Sequence, residues 1–600
     1  MTATPRCDRS GWTPWTRSGR ACASAATLCC LLLAATAFSS CSRPRAEPLP
    51  ALTEMVVGTP AELEGVNDLI AEGSDFNAAI VGNLFLSLLE ERPDFESGPP
   101  TFEPRLARSW EFSEDRLVLT FDLRDDVTWS DGAPVTAADV RFTWQAQTSP
   151  EVAWSYSWSK ESIVDVEVEG PHRVRFYFNR SYASQLTDAN EGVILPAHAW
   201  GELPFASWRE QPEWFLDHLV TDGPFLLDSW QRQDQLVLAR NPSYFEIGLP
   251  GLDRVIFRPV RDPASMLTML LSGEIDFAPS VRPADASRVE REEDLELIEY
   301  PARQYTFISW NTRRPYFNSA RTRRALAHAV DRQALVDTLW FGHARVASSP
   351  IISSVWAHDP DLRPLAHDPQ RAERLLREEG WIDRDGDGIR EREGVRFSFA
   401  LTTNPGNSVR WEALQMIREQ LLRVGVDARP ELVEYAKLNT MNLAHDYDAT
   451  LSAFLIDTSL DLTYALHTRA IDNGYNYGSY SNSEVDRLID EANAQIDPLD
   501  ARPLYHRLQQ LVQRDQPLLF LWEPSRLVAV RKGFTGVRPN ALGEYHTLRT
   551  WAVETAAEPA TATATGTLRA PTDSAEHDSR RVPSWATAAG SGAGGSPSAP

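Results

Sequence analysis

The chain has 600 residues, is 42% hydrophobic and 24% charged, and carries a formal charge of −25. At roughly 150 residues per domain that length suits about two to four domains, and so acidic a surface offers no basic footprint for nucleic acid. All five cysteines (Cys7, Cys22, Cys29, Cys30, Cys41) fall in the first 41 residues, which excludes a disulfide framework, a thiolate metal site and a cysteine nucleophile from the body.

Arg17 and Arg20 precede an uncharged run from Ala21 to Phe38, then Ser39-Ser40-Cys41. A basic flank, an apolar centre and small residues at the end have the layout of a secretory signal. The ending resembles a bacterial lipobox, with Phe38 where leucine is usual; Cys41 would then be acylated and start the mature chain. A plain cleaved signal and a retained membrane helix are the alternatives, the run being near the lower length limit for spanning. Residues 1–41 are thus read as a lipoprotein-type signal peptide and 42–53 as a polar, proline-containing tether.

The body begins at MVVGT, read as a first strand. Residues 75–90 have apolar positions at helical spacing, with Asp75 as N-cap. Leu117, Leu119, Phe121 and Leu123 alternate with Val118, Thr120 and Asp122, the period-2 pattern of a half-buried strand. Asp131-Gly132 breaks that pattern, and Thr136 with Asp139 three residues on predicts a capping box at a helix start. Trp144, Trp154, Tyr156 and Trp158 form an aromatic cluster that either lines a ligand face or fills a core, and residues 164–178 alternate strongly enough for two strands. A strand-then-helix unit follows at 397–426, with Trp411, Leu414, Ile417, Leu421 and Leu422 on one helical face. Residues 519–530 read as a long strand. From about Glu558 the composition collapses to Ala, Thr, Gly, Ser and Pro, which cannot bury enough apolar area to offset ordering, so 556–600 is read as a disordered low-complexity tail.

Pro104, Leu106-Ala107, Ser109-Trp110, Phe121, Leu123-Arg124, Val127, Asp131-Gly132, Pro134, Thr136-Ala137, Asp139-Val140 and Phe142 resemble, in order and spacing, the signature of the family 5 extracellular solute-binding proteins, the binding components of peptide, nickel and related ABC importers. Asp222-Gly223-Pro224-Phe225 through Asn241-Pro242-Ser243-Tyr244-Phe245 resembles a second element of that family, and the stretch from Tyr305 through Arg323, Ala325 and Asp331 resembles its crossover into a second lobe. The resemblance implies an α/β, two-lobed periplasmic-binding-protein-like fold (type II, large peptide-binding class) with two interlobe crossovers. Its parts would be a first lobe over 54–304 containing the signature 104–143, a second lobe over 305–518, and a return to the first lobe over 519–555.

The search for catalysis is negative: no Walker loop, no HExxH, no GxSxG elbow. Gly590, Gly592 and Gly595 match GxGxxG but lie in the tail, with no strand before them or helix after. Asp383, Asp385, Asp387 and Glu391, with Gly388 and Gly386 between them, match most of a calcium loop, but Gly394 stands where a bidentate glutamate belongs. A structural calcium ion or a merely acidic turn are both open readings, and no other cofactor is expected.

For the ligand, the resemblance points to residues 453–468. In peptide-binding relatives a D-x-x-[D/E]-P segment supplies a carboxylate for the ligand's α-ammonium. Asp457 matches the first acid and Asp461 the second, one residue farther on and followed by Leu462 instead of proline; which of them faces a ligand stays open. In dipeptide binders the loop after the second-lobe strand carries an arginine for the carboxylate end. Here the loop holds Asn404 instead, and Arg410 comes only at the helix start, where it either reaches back or is exposed. Asn476 lies in a stretch resembling the family's N…YSNxxxD run, and Trp310 sits at the crossover. The expected function is capture of a small solute, most simply an oligopeptide, between closing lobes, and its delivery to a permease and ATPase complex. The expected protein is a monomer without enzymatic activity, exported and held to a bacterial membrane only by its lipid. A non-peptide solute such as a nickel chelate or oligosaccharide, a receptor without a permease, and a hydrolase of unfamiliar geometry are the alternatives.

Overall fold

A computed structural model describes residues 52–71 and 74–554. Cys41, the expected signal, all but the last two residues of the tether and the tail over 556–600 lie outside the described residues.

A 12-stranded mixed sheet runs through the body, and the 14-residue strand Leu518–Arg531 is its spine. The early residues of this strand pair antiparallel with Gln304–Trp310, Leu518 opposite Ser309 and Trp522 opposite Thr306. Its last seven pair with Leu295–Pro301, Ser525 opposite Pro301 and Arg531 opposite Leu295. Pro524 lies where the partner changes. It has no N–H to give a ladder, and its carbonyl accepts the Ala302 N–H at 3.0 Å. The outward crossing at 301–304 and the return at 523–525 therefore lie side by side, the geometry of a hinge between two lobes.

On the first-lobe side, Glu54–Thr59 runs parallel to Arg254–Pro259 in register from Glu54 to Thr59. A separate four-stranded antiparallel sheet contains the two strands of the signature, Ala107–Phe112 and Val118–Leu123. In it Val118–Leu123 buries Leu119, Phe121 and Leu123 completely, as the alternation requires. The helix Ala137–Thr148 follows, and the Thr136 N–H donates to Asp139 Oδ2 at 2.8 Å, the reciprocal arm of the predicted capping box. On the second-lobe side Ser398–Thr403 lies between the parallel strands Asp427–Leu432 and Ala449–Leu455, and helix Ser408–Leu422 buries Leu414, Ile417 and Leu421. Among the described residues no helix is long and apolar enough to cross a membrane.

One expected element is shorter than its pattern. The helix expected over 75–90 covers Asp75–Leu84 only, and its N-cap is Ser74, whose hydroxyl accepts the Asn77 N–H at 3.1 Å; Asp75 is the first helical residue. Leu84, Phe85, Leu86, Leu88 and Leu89 are all buried, and five such residues in six exceed what one helical face can bury. The chain turns extended at Phe85 and pairs Leu89–Glu91 with Phe102–Pro104. Gly223 allows this turn: a Cβ there would meet the Leu84 carbonyl carbon at 2.5 Å. The adjoining Asp222 Oδ1 accepts the Leu86 N–H at 2.9 Å.

Candidate functional site: an asymmetric cleft at the crossovers

A cavity of ≈480 Å³ opens where the helix Asp75–Leu84 and the strand Leu89–Glu91 meet the crossover residues and the loop 540–549. Its walls are charged, and the two neighbours Glu90 and Glu91 divide it. Side chains alternate along a strand, so these carboxylates lie in different surroundings.

Glu90 belongs to a closed ion network. It accepts from Arg105 at 2.9 Å and from both terminal nitrogens of Arg549 at 2.7 Å, while Arg549 Nε donates to Glu246 at 3.0 Å. Burial pushes the Glu90 pKa up, but Arg105 and Arg549 hold it below the ordinary glutamate value. At this end Arg526 also lies 3.8 Å from Glu544.

Glu91 has no such company. Its Oε1 is buried without a hydrogen-bond partner, and burial, with Asp457 and Glu191 adding repulsion, raises its pKa to about 7 against the opposing pull of Thr458 and Arg303. Asp188 is likewise pushed to about 7 by burial, despite Tyr182 and Lys160. Desolvation among neighbouring groups also raises Asp68, which is half-buried, and Glu191, which is exposed. The nearby cations are committed to backbone oxygens. Lys160 Nζ donates to the carbonyls of Asp188 and Glu191, and Arg303 donates to those of Ala541 and Ile456, both at 2.9 Å.

The structure separates the two candidate aspartates. Residues 457–460 form a tight turn, the Leu460 N–H donating to the Asp457 carbonyl at 3.2 Å, with Leu460 buried in the left-handed region at φ 58°. Asp457 stays exposed and is close enough to Glu91, Asp188 and Glu191 to raise their pKa values. Asp461, past the turn, is committed to its own lobe: Oδ1 accepts from the Thr463 N–H and from Asn493 Nδ2, each at 2.8 Å.

Other expected ligand residues have structural partners. Trp310 is wholly buried, its ring 5.0 Å from Phe317, in the second-lobe core and away from the cavity. Asn476 is buried too, donating to the carbonyls of His467 and Tyr480 and accepting the Tyr480 N–H. Asn404 and Arg410 do meet, at 3.3 Å; like Asp457 and Asp461, they are not among the residues that line the cavity. In the calcium-like loop, Asp387 is drawn off by an ion pair with Arg396. Asp383, Asp385 and Glu391 remain close together, and they accept the loop's own amides, Gly386 and Gly388 on Asp383, Asp387 on Asp385 and Arg384 on Glu391. These bonds account for the carboxylates as those of an acidic turn.

Of the aromatic cluster, Trp154 is core, while Tyr156 and Trp158 are half exposed, their rings 6.4 Å apart. Tyr156 faces the acid-rich end: burial and then Glu191, Asp75, Asp68 and Asp457 raise its hydroxyl pKa. Sequence reasoning missed Glu91, Asp188 and Glu191, which have no motif spacing and stand out only once folded.

Residues 101–476 match the family described as bacterial extracellular solute-binding proteins, family 5. The oligopeptide-binding protein AppA of Bacillus subtilis is 28% identical over 505 residues, covering 83% of this chain and 91% of its own length. Its structure in complex with a nonapeptide superposes with a TM-score of 0.71, at 27% identity, over 84% of this chain and 99% of that one. The glutathione-binding protein GsiB of Salmonella typhimurium is 26% identical over 440 residues, 72% of this chain and 82% of its own length. A structure of NikA from Brucella suis in complex with Fe(III)-EDTA shares the fold, with a TM-score of 0.73 at 19% identity over 84% of this chain and all of that one. With more than half of its length inside the family match and the fold of its solved relatives, the chain belongs to the family 5 bacterial extracellular solute-binding proteins.

Proposed function

We propose that the protein captures an oligopeptide in the cleft at the crossovers and hands it to the permease and ATPase of an ABC importer, with Asp457 pairing the peptide's amino terminus. It works by binding, as the family does, and Cys41 tethers it to the membrane through a lipid. The similarity to the oligopeptide-binding AppA over nearly the whole body supports the cargo class. The observation that carries the site assignment is the difference in exposure at the turn. Asp457 is exposed, accepts the Ser459 N–H at 3.0 Å and acts electrostatically on Glu91 and Glu191, while the half-buried Asp461 is bonded to both Thr463 and Asn493. A charge-assisted hydrogen bond in a site stripped of most water is about twice as strong as a neutral one.

The test is calorimetric titration with whichever peptide co-purifies. Asp457→Asn loses about 2–5 kcal/mol of affinity, roughly 30- to several-thousand-fold. Asp461→Asn lowers the unfolding midpoint and leaves affinity nearly unchanged. N-acetylating the peptide weakens the wild type as much as Asp457→Asn does, and weakens that variant far less. Affinity indifferent to both changes would give the cleft to a non-peptide solute. For the anchor, Cys41→Ser moves the protein from the membrane to the soluble fraction; retention in the membrane would refute lipidation at that residue.

A further inference from the structure

The acid-rich end of the cleft holds more negative charge than one amino terminus needs. Asp68, Asp75, Glu91 and Glu191 line it, Asp457 stands beside it and Asp188 lies behind. The cations facing these six are Lys160 and Arg303, both engaged by carbonyl oxygens. The remaining cations of the cleft, Arg105, Arg549 and Arg526, are paired at the other end with Glu90, Glu246 and Glu544, and His546 sits with them, 4.0 Å from Glu90. Among the described residues, with all six carboxylates ionised, this end carries four more negative charges than the two cations offset. A buried carboxylate oxygen without a partner costs free energy, and Glu91 Oε1 is one. The half-exposed ring of Tyr156 beside the same carboxylates supplies a face that attracts a cation.

Resting on the peptide reading above, we propose that the cargo is a cationic peptide: the cleft takes a second positive charge, a lysine or arginine side chain within the first two residues of the ligand, between Glu91, Glu191 and Asp457 and against Tyr156. The α-ammonium and the basic side chain together offset two of the four negative charges that the protein's own cations leave at this end. The raised pKa values agree with this. In the empty cleft Glu91 and Asp188 hold protons up to about pH 7; an arriving cation favours their ionised forms, so binding releases protons.

The experiment titrates the purified full chain, freed of bound peptide, with tetra-alanine, with the same tetrapeptide carrying lysine at position one, two or four, with aspartate at position two, and with spermidine. Lysine at position one or two binds at least tenfold tighter than tetra-alanine at pH 8, lysine at four gains less, and aspartate binds more weakly. That lysine preference shrinks as the pH falls from 8 to 6, and at pH 7 the binding heat varies with the ionisation enthalpy of the buffer. In Glu191→Gln and in Tyr156→Ala, each checked for an unchanged unfolding midpoint, the ratio of lysine to alanine affinity falls towards one. If all the tetrapeptides bind alike, the peptide reading stands and this inference is wrong. If spermidine binds and none of the peptides does, both readings are overturned.

Discussion

Glu90 and Glu91 are consecutive residues of one short strand, of similar chemistry and both largely buried, yet their pKa values move in opposite directions. Burial raises both; the difference is company. Two guanidiniums at 2.7–2.9 Å reverse the effect for Glu90, whereas Glu91 faces Glu191 and Asp457 and keeps one oxygen unpaired. One end of the cleft is therefore a finished piece of structure that ties the strand Leu89–Glu91 to the loop 540–549. The other is unfinished, and it is the end to which we assign the ligand's positive charge.

Breaking the finished end should have the largest effect on stability. Glu90→Gln leaves Arg105 and Arg549, both mostly buried, without their main counter-charge. Removing one partner of a buried ion pair typically costs about 3–5 kcal/mol, and with Glu246 still beside Arg549 the lower figure applies. Urea unfolding should report a loss of about 3 kcal/mol. A change under about 1 kcal/mol, the value of an exposed pair, would mean that the network is solvated.

At the unfinished end the same substitution has the opposite sign, and it depends on pH. A carboxyl whose folded pKa lies above its unfolded value binds more protons when folded, so stability falls as the pH rises from the unfolded value to the folded one. For Glu91 that window runs from the ordinary 4.5 to about 7. The ligand-free protein should therefore melt higher at pH 6.5 than at pH 8. Asp188, also raised to about 7, acts in the same direction, while Lys160, lowered to about 8 by burial, and His328 and His546, lowered likewise, pull the other way, so the comparison with Glu91→Gln is what isolates this one carboxyl. Glu91→Gln should melt higher than the wild type at pH 8, with the two curves converging as the pH falls. Parallel curves would show that Glu91 does not titrate there.

The regular parts of this molecule were legible from sequence because their causes are local. The alternation of Leu119, Phe121 and Leu123 fixes a strand, Thr136 with Asp139 fixes a helix start, and the long apolar run near the end is the strand that joins the lobes. Where the apolar run was buried all round, at 84–89, period alone could not tell helix from turn and strand. The cleft was not legible for a different reason. Glu91, Glu191 and Asp457 are brought together from three distant segments, and among 84 acidic residues none of them stands out. The family resemblance narrowed the choice to Asp457 or Asp461. Our proposal of Asp457 over Asp461 rests on the turn at the left-handed residue Leu460, which gives the two aspartates different exposure.

The smallest expected effect extends the same contrast to a third group of carboxylates. The loop 383–391 has the composition of a calcium site, but its acids resemble Glu90 rather than Glu91 in being supplied with partners. Asp387 is held by Arg396, and the hydrogen bonds from Ile389 and Arg396 keep its pKa below the ordinary aspartate value. Asp383 accepts two amides, and Asp385 and Glu391 accept one each. An ion would have to displace or share those bonds, and its gain would be the difference between two satisfied states, not the rescue of an unsatisfied one. A ligand that binds the folded state at one hundred times its Kd adds about 2.7 kcal/mol, which would shift the melting temperature visibly. Adding millimolar calcium, or a chelator, should move it by less than about one degree, well inside that bound. A rise of several degrees with calcium, abolished by Asp383→Asn, would show that these carboxylates give up their amides to a metal.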